Sequence, residues 1–103
     1  MATGGGRRMS YYVIGHIRVL DAPRWADYRA RVGATLSPFG GEVVMRGGVD
    51  VVLAGDWPGT DTVVLRFADA ASARAWHDSP AYQALVPLRE AGAEVVLVGY
   101  EGE

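Results

Sequence analysis

"YYVIGHIRV", residues 11–19, alternates in the way an extended chain does. Successive side chains of a strand point to opposite faces. Val13, Gly15, Ile17 and Val19 therefore share one face, and Tyr12, Ile14, His16 and Arg18 share the other. The first face is wholly apolar and suits a covering layer of helices. The second carries an imidazole and a guanidinium in mid-strand, groups that need water, a ligand or another subunit.

The elements that follow supply the covering layer. In "LDAPRWADYRARVGATLSPFGG" (20–41), Asp21 offers an N-cap oxygen and Pro23 fits a first helical turn, where its missing N–H is not needed. Trp25, Tyr28, Val32 and Leu36 recur at steps of three and four and predict one apolar helix face. Pro38 and Gly40–Gly41 end that helix. "EVVMRGGVDVVLAGDW" (42–57) reads as a strand, a turn or bulge at Gly47–Gly48, and a second extended piece from Val49 to Ala54. "TVVLRF" (62–67) is another strand, with Val63, Leu65 and Phe67 on its apolar face. An alanine-rich helix in 68–78 breaks at Ser79–Pro80, because proline disfavours helical backbone in the residue before it. The same pair restarts the helix through "AYQALVPLREAG", and "EVVLVGY" (94–100) is the last strand.

This order, β-α-β-β-α-(α)-β, predicts an α+β, ferredoxin-like split βαβ fold. The sheet is antiparallel and four-stranded in spatial order 4-1-3-2, with helices on one face. The other face is left to water or a second subunit.

Composition narrows the function. The chain has 103 residues, enough for one core, and a net charge of −2 that offers no steering toward nucleic acid. No run approaches the ~20 apolar residues of a membrane span. Cysteine, lysine and asparagine are absent, which excludes thiolate nucleophiles, Schiff bases and N-glycosylation. There is no GxGxxG, GxxxxGK[ST] or GxSxG, and two histidines without carboxylates at ligand spacing make no metal site. Residues 1–9, Gly-rich with Arg7 and Arg8 and no apolar h-region, read as a disordered lead to a single domain at 10–103, with a cytoplasmic location expected.

Three stretches, "FGGEVVMRGG", "LAGDWPG" and "VVLRFADAASARAWHDSPAY", make the chain similar to the bacterial domain-of-unknown-function 1330 family, in the dimeric α/β-barrel superfamily. Its most specific parts are Arg46-Gly47-Gly48, Gly55-Asp56-Trp57, and Trp76…Ser79…Tyr82 with Arg89 downstream. The sequence departs from the family at His16, where members often carry an acidic or other polar residue, and in the extra residue of Asp21-Ala22-Pro23. The resemblance implies a homodimer in which two sheets pack into a barrel, with ligands in a cleft between sheet and helices. It also implies kinship with cofactor-independent monooxygenases, isomerases, cyclases, dehydratases and haem enzymes.

Strand parity places candidate chemistry on the uncovered face. His16, Arg18 and Arg66 share it, and unbroken alternation through Val43 and Met45 adds Arg46. Such a cationic cluster suits a carboxylate, enolate or phosphate. The alternative is that these groups pair across a dimer with Glu42, Glu94 or Asp56. A bulge at Gly15 or Gly47 would turn His16 toward the helices instead. Asp56 is a second proton-transfer candidate beside Trp57, although Asp-Trp-Pro-Gly is equally good turn chemistry. His77 reads as a solvent-facing residue near a helix C-terminus.

The expected catalytic set is His16, Asp56 and Arg66, and the expected substrate-binding set is Tyr28, Arg46, Trp57, Trp76, Tyr82 and Arg89. The resulting expectation is an enzyme with no organic cofactor and no metal, moving protons on a hydrophobic or aromatic acid-like metabolite as an isomerase, cyclase or dehydratase. The alternatives are a cofactor-independent monooxygenase and a non-catalytic homodimeric binding protein. The expected partners are a second copy and a small molecule, with neither nucleic acid nor membrane.

Overall fold

A computed structural model of the chain describes residues 10–103, and the lead expected at 1–9 lies outside the described residues. The elements are β1 (Ser10–Val19), α1 (Ala22–Leu36), a 3-10 turn (Ser37–Phe39), β2 (Glu42–Gly48), β3 (Asp61–Phe67), α2 (Ala70–Asp78), α3 (Pro80–Gln83), α4 (Val86–Gly92) and β4 (Ala93–Gly102). The strands form one antiparallel sheet in the order β2-β3-β1-β4, the ferredoxin-like order that the sequence predicts.

Local chemistry accounts for the helix ends. Asp21 accepts the Arg24 N–H at 3.1 Å and caps α1, and Asp69 accepts the Ser72 N–H at 2.8 Å and caps α2. Ser79 serves two helices. Its hydroxyl donates to the Trp76 carbonyl at the end of α2 and accepts the Tyr82 N–H at the start of α3. The continuous helix expected from Pro80 to Gly92 is divided, because α3 stops at Gln83 and α4 begins at Val86. Pro87 is the cause. It lacks an N–H, and its ring would meet the carbonyl four residues back, at Gln83.

The core lies between the helices and the predicted face of the sheet. Val13, Ile17, Leu65 and Phe67 from the strands meet Trp25, Tyr28, Leu36, Trp76 and Tyr82 from the helices, all buried. Trp76 sits at the centre, 5.5 Å from the Phe67 ring and 4.4 Å from the Tyr82 ring. Its indole N–H donates to Thr35 Oγ1 at 2.9 Å. The end of α4 lies hard against the start of α1. Leu20 N–H and Asp21 N–H both donate to the Gly92 carbonyl, and a Cβ on Gly92 would stand 2.8 Å from the Trp25 nitrogen.

Two expectations about the β2–β3 region fail. The piece from Val49 to Ala54 joins no ladder, and β2 ends at Gly48. The alternation of β2 breaks earlier than Gly47, since the register with β3 shifts between Val43 and Met45. Val43 pairs with Leu65, but Met45 pairs with Val64 and Arg46 with Val63. The extra residue exchanges the two faces. Met45 therefore lies on the uncovered side, and Arg46 on the helix side.

Candidate functional site

Two regions hold the sequence-predicted site residues, one on each side of the sheet. On the uncovered side, the register aligns Tyr12 with Arg66, Ile14 with Val64 and His16 with Thr62, and β4 adds Glu94, Val96, Val98 and Tyr100. His16 stays on this face, as its parity predicts, with no bulge beside it. The Trp57 ring stands edge-on to it, with centroids 5.3 Å apart at 77°.

The expected cationic cluster is neutralised within the chain. Arg18 pairs with Glu94, its Nε 2.9 Å and its second guanidinium nitrogen 2.6 Å from Oε1. Arg66 pairs with Glu42, which lies opposite it in the ladder. That carboxylate first, and the Tyr12 hydroxyl second, raise the Arg66 pKa further. Glu42 and Glu94, two of the three carboxylates expected as partners, make these pairs within one chain. Asp56 lies on the exposed loop beside Trp57 and joins neither pair.

On the helix side, α1 and the sheet line a narrow apolar cleft with a cavity volume of about 50 Å³. Ile17, Val63, Leu65 and Leu97 form its floor, and Trp25, Tyr28, Leu36 and Trp76 its roof. Three charged side chains line it as well: Arg29 from α1, Arg46 from β2 and Asp61 from β3. Among the described residues, none of the three has a hydrogen bond or an ion pair. One buried donor on a residue of the cleft wall is also unused. Trp25 Nε1 is buried with no acceptor among the described residues, and an unpaired buried N–H costs about 1–3 kcal/mol.

The aromatic candidates divide accordingly. Tyr28 and Trp76 line the cleft, whereas Tyr82 is fully buried behind it and Arg89 lies beyond Tyr82. The Tyr28 and Tyr82 hydroxyls are 2.9 Å apart, and Arg89 Nη1 donates to the Tyr82 oxygen at 3.0 Å. Burial, then the charge and hydrogen bond of Tyr82, push the Tyr28 phenol far above its ordinary range. It stays neutral and serves as a hydrogen-bonding group rather than a base. Tyr82 and Arg89 hold α3 and α4 to α1 and do not line this cleft. Trp57 and His16 are likewise on the wrong side of the sheet to meet anything in it.

Sequence reasoning passed over Arg29, Asp61 and the Trp25 N–H. Two of them carried a signal. Asp61 continues the parity of Val63, Leu65 and Phe67 and so puts a carboxylate on an otherwise apolar face. Arg29 follows Trp25 by four residues and precedes Val32 by three, on the same helix stripe. The acceptor-less state of Trp25 Nε1 depends on tertiary contacts and had none.

Among the described residues no helix is long and apolar enough to cross a membrane. Comparison with solved structures finds the same fold widely. A protein of unknown function from Rhodopseudomonas palustris is 17% identical, with 94% of this chain and 85% of that one covered at a TM-score of 0.79. SnoaB, a cofactor-independent oxygenase from Streptomyces nogalater, is 14% identical, with coverage of 94% and 95% and a TM-score of 0.67. A dimeric ferredoxin-like protein of unknown function from Thermobifida fusca is 20% identical, with 92% of each chain covered and a TM-score of 0.57. At these identities the likeness is one of fold. No curated protein matches the sequence. The family model for a domain of unknown function, DUF1330, matches residues 10–102, nearly the whole described chain, and the protein belongs to that family.

Proposed function

We propose that the protein is a small-molecule enzyme that takes a hydrophobic or aromatic acid into the helix-side cleft and moves a proton on it. The observation that carries this reading is Arg46. The bulge in β2 turns its guanidinium to the mouth of an aromatic-lined cleft, where it has no ion-pair partner among the described residues. An unpaired guanidinium beside apolar walls fits a ligand with a carboxylate or enolate at one end and a ring or chain at the other. Arg29 adds a second cation to the same mouth. Asp61 is the one carboxylate lining the cleft and takes the proton-transfer role. It would remove a proton next to the ligand's carbonyl while Arg46 holds the developing negative charge.

His16 and Arg66, the residues favoured by strand parity, fall outside this site. In the same reading the uncovered face serves a homodimer. Ile14, Val64, Val96 and Val98 give it apolar surface with no helix over it, and the Thermobifida fusca relative of the same fold is described as dimeric.

The test is native mass spectrometry with a panel of aromatic and aliphatic carboxylic acids, followed by incubation of bound acids in heavy water. One acid per chain, lost in Arg46→Ala and kept in Arg66→Ala, with deuterium entering the acid only when Asp61 is intact, is the expected result. Binding without deuterium uptake would make the protein a carrier. Uptake of oxygen into the acid would make it an oxygenase. Binding lost in Arg66→Ala but kept in Arg46→Ala would move the site to the uncovered face.

A further inference from the structure

The longest feature without a place in either region is the loop between β2 and β3. Its base is pinned firmly. Val49 N–H donates to the Thr60 carbonyl at 2.8 Å, Thr60 N–H to the Ile17 carbonyl at 2.7 Å, and Val19 N–H to Thr60 Oγ1 at 2.9 Å. Beyond that base the chain runs out from the sheet, joins no ladder and displays apolar side chains. Leu53 is 91% exposed and Val51 62%. A leucine held almost wholly in water at the end of a fixed arm gains nothing for its own fold.

The arm returns to the body on the uncovered side of the sheet. Trp57 lies against His16 there, and its indole packs over Gly59, where a Cβ would stand 2.5 Å from Nε1. Arm and uncovered face are thus one continuous surface. The molecule is also a slab, 48 × 38 × 16 Å, with a radius of gyration of 15.0 Å against the about 12–13 Å of a compact chain this long.

We infer that the arm, residues 49–59, is a clasp that closes over the sheet of a second copy of this chain. Charge argues against a nucleic acid or an anionic membrane as the occupant. The two arginines of the face, Arg18 and Arg66, are spent on Glu94 and Glu42, and the arm contributes only Asp50 and Asp56, so nothing here draws a nucleic acid or an anionic membrane. A two-fold axis places one arm on each partner and leaves neither arm uncovered, which is how a closed dimer uses one surface twice. The inference rests on the face-to-face pairing proposed above and goes beyond it in assigning the arm a partner.

The experiment puts a photoreactive benzoylphenylalanine in place of Leu53, in light and isotopically heavy copies mixed by refolding. Sedimentation of wild type, Val51→Asp/Leu53→Asp and Val96→Asp accompanies it. The expected result is covalent light–heavy pairs on illumination, and a dimer Kd raised at least tenfold by the double arm variant with an unchanged circular dichroism spectrum. Crosslinks confined to single chains, with an unchanged dimer Kd in the arm variant, would overturn the clasp. If Val96→Asp then still breaks the dimer, the face-to-face pairing stands without it. A wild type that sediments as a monomer at high concentration would overturn both.

Discussion

The two faces of β1 start from comparable material and are resolved by different means. Toward the helices, Val13 and Ile17 are buried under Trp25, Tyr28 and Trp76, and the side chains fill the space except for one cleft. Toward the open side, Ile14 is only half-buried, and the polar residues beside it find partners along the sheet, in the pairs Arg18–Glu94 and Arg66–Glu42. Stability therefore belongs to the helix side, where apolar area leaves water. The open side is electrostatically settled and sterically unfinished. On the helix side Arg29 and Arg46 are exposed at the cleft and Asp61 is half-buried, and with no partner among the described residues all three are free to meet a ligand.

Substitutions can break that contrast. The largest effect is expected for Trp76→Ala, which empties the centre of the helix layer and should cost about 3–5 kcal/mol in urea unfolding. Val96→Ala on the open face should fall within about 0.5 kcal/mol when measured at a concentration low enough for monomer. Equal losses at the two sites would end the argument that one face carries the fold.

Gly92→Ala comes next. Its Cβ would press on the Trp25 backbone, and overpacking of this kind costs about 1–3 kcal/mol. The same denaturation series reads it, and a neutral result would mean that α1 and α4 slide apart freely.

Arg46→Ala sharpens the contrast from the other direction. Its stability change should stay within about 0.5 kcal/mol, while the affinity of a bound acid falls about tenfold or more, as expected for loss of a charge-assisted hydrogen bond. Titration calorimetry alongside thermal unfolding separates the two. A large loss of stability would show a structural role for the guanidinium.

The smallest effect concerns a helix end on the exposed rim. Bonds from Ser72 lower the Asp69 pKa below its ordinary 3.8. A carboxylate with a depressed folded pKa contributes stability above its unfolded pKa and loses it as pH falls through the folded one. Asp69→Asn should therefore match the wild type more closely at pH 2–3 than at pH 6, as seen by Tm across that range. A constant Tm difference would remove the capping charge from the account.

Much of this was legible in the chain itself, residue by residue. Asp21 and Ser79 announced their helix starts, since a short polar side chain before an apolar repeat satisfies free N–H groups, and Asp69 carried the same signal although the helix read over 68–78 passed over it. Pro87 announced the break before α4 as clearly, although the reading of one continuous helix passed over it. The motif residues Trp76, Ser79, Tyr82 and Arg89 were easy to find and harder to interpret. Three of them build the joint between α2, α3 and α4, and Trp76 alone also reaches the cleft.

What the sequence determined by itself is the order of elements, the pairing order of the strands and the face of β1 and β3 that turns to the core. Each follows from local rules, because side-chain periodicity and capping act over a few residues. What only the tertiary structure decided is which side of the sheet Arg46 occupies, which carboxylates neutralise Arg18 and Arg66, and that residues 49–59 leave the sheet. The first of these depends on where β2 takes up one extra residue against β3, since a single shift in register reverses every side chain beyond it. That shift is set by how two strands far apart in the chain settle against each other and the helices above them, and no short stretch of sequence contains it.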